Sequence, residues 1–476
     1  MRSLISLSSK DTSASDENSK MMRASMYQTA YQRNYRRRRP ELDESSPAPP
    51  FGAIIQSMSI AELSKPATTF ASSARVTDCS LLASYNWLDQ ATPSILVPGA
   101  PPMWTPLAVP VKLREDDGVY YRDKNAARYP AHPMEPMVQA VFATHPEPLE
   151  GGVDIVACGS TLGNLLRFVR GDEKPFRMLV EVVGNTVHLI RRENSPKETI
   201  PNVRGYGHTF PEAYTTWDAD VRGSASHQRI LQYTFGGLRC IVRHEGDGYL
   251  RDKLTSSSKP KLLGKGRGST LEELIASFEG NGVTSVNPVP SSELHIQPGG
   301  FDVPQSAVFD LKTRSNMRRG QDFLGEELPR MWVAQIPNFV LAYHDRGRFN
   351  DIEVMDVSEK IRDWEREMNR KLSQLAALLH HIIGLARTQP GGKLEISRQL
   401  LDRLEIRAQT SGVTPPFSEG VSVKWASWLG QPVMSSEDED EDEVAGGDLT
   451  WSDGEDIGDD FTACSQDCSY CGRCTY

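Results

Sequence analysis

Between residues 339 and 386 the apolar residues change period once, and that change sets the fold class. Phe339–Tyr343 and Ile352–Met355 are short strand-like segments either side of the turn Asp345-Arg-Gly-Arg348, the pattern of a two-stranded hairpin. From Ser358 to about Ala386 the spacing lengthens to that of a helix. Ile361, Trp364, Met368, Leu372, Leu375, Leu379 and Ile382 fall on one face, Asp356 with Glu359 forms the N-terminal capping pattern, and Gly384 and Pro390 mark the end. A strand pair and a one-faced helix must each bury a side against another layer. The chain is therefore read as α/β, with a mixed central sheet flanked by helices.

Other stretches fit that frame. Val153–Ala157 reads as a short strand and Leu162–Val169 as a helix. Phe176–Val183 and Thr186–Arg191 read as a hairpin turning at Gly184-Asn185. Residues 236–249 give a strand ending in a polar turn, Ser306–Thr313 another strand, and Arg330–Ile336 a helix. Leu81 to Trp104 mixes large apolar residues with prolines and is expected to be an extended arm over the domain. Residues 250–300 turn to Ser, Lys, Gly and Pro around one capping box, Thr270-Leu-Glu-Glu273, and are expected to form an insertion. Leu394, Leu400, Leu401 and Leu404 mark a second amphipathic segment. His380 and His381, adjacent on the long helix, point apart and are read as core or surface histidines.

Only 38% of the 476 residues are apolar, too few for a chain folded throughout. The missing apolar content is at the ends. Residues 1–75 are rich in Ser and Arg, and residues 411–476 are acidic, including the run Glu437–Glu443; both are expected to be disordered tails around a single domain at 76–410. Arg33 and Arg36–Arg39 form a basic cluster that suits nuclear import, an RNA-touching arm or a solvated charge run. Trp425 and Trp428 either dock on the body or form a partner motif. No stretch reaches the roughly 18 consecutive apolar residues of a membrane span, and the N-terminus lacks a secretory pattern. The seven cysteines do not form a disulfide framework. The expected location is intracellular, in the nucleus, the cytoplasm or both, with no membrane partner. The net charge of −10 argues against a general nucleic-acid coat and leaves room for a local basic groove.

The chemistry concentrates in Ala307-Val-Phe-Asp310-Leu-Lys312-Thr313, an apolar strand with a carboxylate and an ammonium at i and i+2, hence on one side. A carboxylate there can hold Mg²⁺ or Mn²⁺, and a lysine can steady an attacking water or the charge developing on phosphate. A surface ion pair is the plainer alternative. Upstream, the strand before the insertion ends in Glu245-Gly-Asp247, a second carboxylate pair, which equally suits a polar turn. Carboxylates gathered from two such strands need a metal or a proton to relieve their repulsion. Cys464, Cys468, Cys471 and Cys474 are compressed into eleven residues, tighter than a usual structural zinc site. They suit an iron–sulfur or opportunistic zinc clamp, or else a reduced tail.

These motifs resemble the PD-(D/E)XK nuclease fold, and more narrowly the eukaryotic decapping and exonuclease family called DXO. Gly205-Tyr-Gly-His-Thr-Phe210-Pro-Glu212 resembles its Gly-rich segment, with Pro211 setting the glutamate one residue further along. Glu245-Gly-Asp247 resembles its Glu-x-Asp element. Asp310-Leu-Lys312 resembles its Glu-x-Lys strand, with Asp in place of Glu. Met331-Trp332-Val-Ala-Gln335 resembles its Trp-x-x-Gln helix, and the strand behind it also matches. The likeness spans residues 205–355. It implies a metal-dependent nuclease or pyrophosphohydrolase acting on RNA 5′ ends, with Glu212, Glu245, Asp247 and Asp310 as metal ligands and Lys312 and Gln335 positioning water and phosphate. The alternative is a decayed member of that fold, kept to bind RNA or protein.

A second resemblance runs through Tyr85-Asn-Trp-Leu-Asp89, Ile95–Trp104, Phe235–Arg239, Ile241–Glu245 and Phe461-Thr-Ala-Cys464, which are similar to a filamentous-fungal family often labelled geranylgeranyl pyrophosphate synthetase. That label implies Asp-Asp-x-x-Asp motifs. Asp116-Asp117 is followed by Gly, Val and Tyr, and Asp459-Asp460 by Phe, Thr and Ala, so the sequence carries no such motif.

Overall fold

The computed structural model describes residues 47–201, 203–254, 293–399 and 402–430. The chain runs β1 (Ile54–Ser59), β2 (Val76–Leu88), β3 (Ser94–Gly99) and β4 (Met103–Trp104), then α1 (Lys124–Arg128) and α2 (Glu135–Thr144). It continues through β5 (Ile155–Cys158), α3 (Gly159–Arg170), β6 (Phe176–Val183), β7 (Thr186–Arg191), α4 (Thr209–Tyr214) and β8 (Thr215–Thr216). Next come β9 (Ser224–Phe235), β10 (Leu238–Glu245), β11 (Gly248–Tyr249), β12 (His295–Gly300) and β13 (Val308–Ser315). Then follow α5 (Phe323–Ala334), β14 (Asn338–Asp345), β15 (Arg348–Asp356), α6 (Ser358–Glu367), α7 (Asn369–Thr388), β16 (Lys393–Arg398), β17 (Arg403–Ala408) and α8 (Glu419–Trp428).

Among the described residues the strands form two mixed sheets. Eleven lie in the order β1-β17-β16-β6-β7-β5-β10-β9-β2-β3-β12, and six in the order β15-β14-β13-β11-β4-β8. One face of the larger sheet is covered by α3 and α7, with Leu165, Phe168, Leu375, Leu379 and Ile382 packed on Val180, Val242 and Ile396. On the other face Met137 and Val141 of α2 and Trp425 of α8 meet Tyr85, Val156 and Ile230. Both expected hairpins form. Val183 pairs with Thr186 and Asp345 with Arg348, leaving two-residue turns; Arg346 and Gly347 both have positive φ, as the tight hairpin turn requires. Among the described residues no helix is long and apolar enough to cross a membrane.

Several expectations are corrected. Regular structure among the described residues starts at β1, well before residue 76: β1 pairs with β17, and two short 3-10 turns place Leu63 and Ala67 in the core. Its strand pattern is faint because β1 is an edge strand with Ile54 and Ile55 exposed. The stretch expected as an extended arm is instead β2, β3 and β4; β2 lies inside the larger sheet between β9 and β3, with Tyr85 and Trp87 fully buried and both donating to Asn125 Oδ1. The end of the expected insertion is not loop either, since β12 pairs in parallel with β3. The long helix is two, broken at Met368, and α7 continues past Gly384 to Thr388. Leu394 and Leu404 lie on β16 and β17, which pair antiparallel, while Leu400 and Leu401 lie outside the described residues. Trp425 and Trp428 dock on the body, their indole N–H groups donating to His188 Nε2 and to the His145 carbonyl. His380 stacks on Phe70, and His381 pairs with Gln56. The Arg36–Arg39 cluster, the Thr270–Glu273 capping box, the Glu437–Glu443 run and Cys464, Cys468, Cys471 and Cys474 lie outside the described residues.

Candidate active site

The two sheets meet where the chain leaves β10 for β11. Gly246 turns it, with its N–H donating to the His227 carbonyl. Gly248 then pairs with Phe309, and a Cβ there would stand 2.3 Å from the Phe309 ring, so only glycine permits the approach. The crossing sets Asp247 against β13, where its Oδ2 accepts the Leu311 N–H at 2.7 Å.

β13 is buried along nearly all its length, and successive side chains point to opposite faces. Phe309 and Leu311 join an apolar cluster with Phe210, Val340 and Phe349. Asp310, Lys312 and Arg314 face the other way, onto α5, and are 1%, 3% and 1% exposed. From α5 come Glu327 and Arg330, one helical turn apart. Glu327 takes Arg314 Nη2 on Oε1 at 3.4 Å and Arg330 Nε on Oε2 at 3.0 Å, while Arg330 Nη2 contacts Asp310 Oδ1. The seam holds three carboxylates, Asp247, Asp310 and Glu327, and three cations, Lys312, Arg314 and Arg330, so side chains alone balance its charge.

Burial pushes the Asp310 carboxyl above its usual range, with Arg330 the main opposing influence. Burial works the same way on Glu327, but Lys312, Arg330 and Arg314 together outweigh it and hold that group low. Against the cost of burial, Asp310, Glu327 and Asp247 hold the Arg330 guanidinium above its ordinary value.

Above the seam opens a cleft of about 520 Å³. Asp247, Glu327 and Arg330 line it, whereas Asp310, held behind Arg330, and Lys312 are buried and do not. The walls are dense in arginine, including Arg122, Arg167, Arg191, Arg192 and Arg243; Glu198 holds Arg122 and Glu193 holds Arg191. Glu245 is at the rim, paired with Lys124 at 2.7 Å.

The structure therefore brings together Asp247, Asp310 and Lys312, with Glu245 nearby. It does not bring in Glu212 or Gln335. Glu212 is on the exposed side of α4, and its electrostatic neighbours are Asp116 and Arg114. Gln335 caps α5 in the left-handed region (φ 49°) and turns its amide back onto the Trp332 carbonyl. Sequence reasoning missed Glu327, Arg330 and Arg314. The Glu-x-x-Arg spacing at 327 and 330 was the available signal, but Pro329 between them reads as a helix boundary.

Carboxylate oxygens of Asp247, Asp310 and Glu327 are the hard donors that Mg²⁺ or Mn²⁺ takes, so the donor chemistry fits such an ion. The arrangement gives its place to Arg330: among the described residues no group of three or more Asp, Glu, His or Cys side chains is set to hold a metal.

The model of a family described as a domain of unknown function (DUF8563) matches residues 54–397. No curated protein matches the chain in sequence. Among solved structures it is similar to Schizosaccharomyces pombe Rai1 in complex with 3′-FADP, at 11% identity and a TM-score of 0.47, over 75% of this chain and 99% of that one. Scheffersomyces stipitis Rai1 with (3′-NADP)+ and calcium ion follows at 12% and 0.44, over 80% and 99%. Candida albicans Rai1 with pU5-Mn2+ follows at 9% and 0.42, over 74% and 96%.

Proposed function

The chain belongs to the DUF8563 family, and from that premise we propose that it is a nuclease-like protein whose cleft takes the phosphorylated 5′ end of an RNA, with a divalent ion as cofactor. The observation that carries the reading is the burial of Asp310 and Lys312 in the charged seam behind Arg330, next to an arginine-walled cleft. Stability does not account for it: desolvating two charges offsets most of their attraction, and apolar residues of similar volume would pack there at no loss. Such a pair makes sense where charge must meet a ligand.

In this reading Asp247, Asp310 and Glu327 would hold Mg²⁺ or Mn²⁺, which when bound polarises a phosphate and makes water a better nucleophile. Lys312, buried behind the carboxylates, would act at a distance, its positive charge favouring the negative charge that develops on a phosphoryl group held by the ion. The wall arginines orient the 5′ phosphates by paired N–H donation. Glu245, tied to Lys124, shapes the rim. Glu212 and Gln335 have no part.

A second reading, a decayed nuclease fold kept to bind RNA or protein, is favoured by one observation: Arg330 already neutralises Asp310 and Glu327. A hydrolysis assay separates the two, using capped and 5′-phosphorylated RNA with Mn²⁺. Wild type should turn over, Asp310→Asn should not, and Lys312→Ala should lose at least about a hundredfold in rate. A folded wild type that binds these RNAs without cleaving them supports the second reading.

A further inference from the structure

We propose that Arg330 is a built-in, displaceable counter-ion: it plugs Asp310 from the cleft and exchanges with the divalent cation. The inference rests on the metal reading above and names the residue that controls entry to the site. Arg330 reaches two carboxylates through separate nitrogens, Asp310 Oδ1 through Nη2 and Glu327 Oε2 through Nε. The oxygens that its removal would uncover thus lie on one guanidinium, side by side.

Arg330 is the most open of the three side chains; it is 27% exposed, against 1% for Asp310 and 3% for Glu327, and Asp310 alone of the three does not line the cleft. Its partners are fixed independently. Glu327 keeps Arg314 through Oε1, Arg314 lies over the Phe323 ring at 4.8 Å, and Asp247 is pinned by the Leu311 N–H. When Arg330 swings out, the carboxylates stay in place.

Charge makes the exchange two-way. With Arg330 in place the seam carries three negative and three positive groups; without it, three and two. A divalent ion then overcompensates by one charge, where Arg330 balanced the seam. The two cations compete for the same oxygens, and a phosphate in the cleft would favour the exchange by giving the departing guanidinium a new anion.

The test is a titration with Mn²⁺ alone on the full chain, reading free Mn²⁺ by electron paramagnetic resonance, for wild type, Arg330→Gln, Arg330→Lys and Asp310→Asn. Removing a positive charge next to the ion should tighten binding in Arg330→Gln by at least about tenfold. Arg330→Lys, which keeps the charge without the two-armed contact, should fall between wild type and Arg330→Gln, and it carries the comparison if Arg330→Gln fails to fold. Asp310→Asn should bind weakest. Equal affinity in wild type and both Arg330 variants, with loss in Asp310→Asn, overturns the plug and leaves the metal reading standing. Absence of binding in all four overturns both.

Discussion

Two helices lie on strands here by opposite chemistry. α7 sets Leu372, Leu375, Leu379 and Ile382, none measurably exposed, against the larger sheet. Each such side chain stabilises by roughly 1.5–3 kcal/mol through area removed from water. α5 meets β13 through Asp310, Lys312, Arg314, Glu327 and Arg330, where attraction and desolvation nearly cancel. α5 can afford this because its other side joins the apolar core through Met331, Trp332 and Val333. Helix-on-sheet packing needs no charged seam, so the seam points to chemistry and the α7 contact to stability.

The largest effect should come from breaking the seam on one side only. Glu327→Ala leaves Arg314 and Arg330 short of a carboxylate and should cost about 3–5 kcal/mol in urea unfolding. The paired change Arg314→Leu with Glu327→Met should return to within about 1 kcal/mol of wild type. A double variant as unstable as the single one would mean the seam holds the fold together, and the contrast with α7 would fail.

On α7, Leu379→Ala should cost roughly 3 kcal/mol and Leu379→Met less than about 1.5, because volume is what matters there. A near-neutral Leu379→Ala would place the stabilising core elsewhere.

A smaller effect concerns His188. Burial holds its imidazole down to about 4, and its Nε2 accepts the Trp425 indole N–H at 2.9 Å, so it must be neutral to hold α8. Its folded value lies below the unfolded value of about 6.5, so the stability it contributes is present above that pH and lost as pH falls towards 4. The difference corresponds to roughly 3 kcal/mol at most. Urea midpoints at pH 7 and 4.5 should fall further in wild type than in His188→Gln; an equal fall would assign the acid loss to other groups.

Much of this was legible in the sequence where one face was wet and the other dry. Both hairpins, β5, α3 and the one-faced α6–α7 run announce themselves by local periodicity. The same-side placement of Asp310 and Lys312 follows from the strand period alone. What escaped depends on distant partners or mixed signals. β1 is an exposed edge strand whose partner β17 is some 350 residues on. β2 departs from simple alternation because its register against β9 shifts three times. Pro329, tolerated inside α5, made the helix seem to begin at Arg330, which hid Glu327. The motif resemblance carried Glu212 and Gln335 by sequence order, but the exposed side of α4 and the left-handed cap of α5 turn both away from the seam.

The most direct test of the central claim, that the seam is a cation site rather than a structural ion pair, is the thermal melt of wild type and Asp310→Asn with and without Mn²⁺. Binding to the folded state alone must raise Tm. Wild type should melt several degrees higher with Mn²⁺, and Asp310→Asn should not move. An unmoved wild type, or an equal rise in both proteins, would contradict the account.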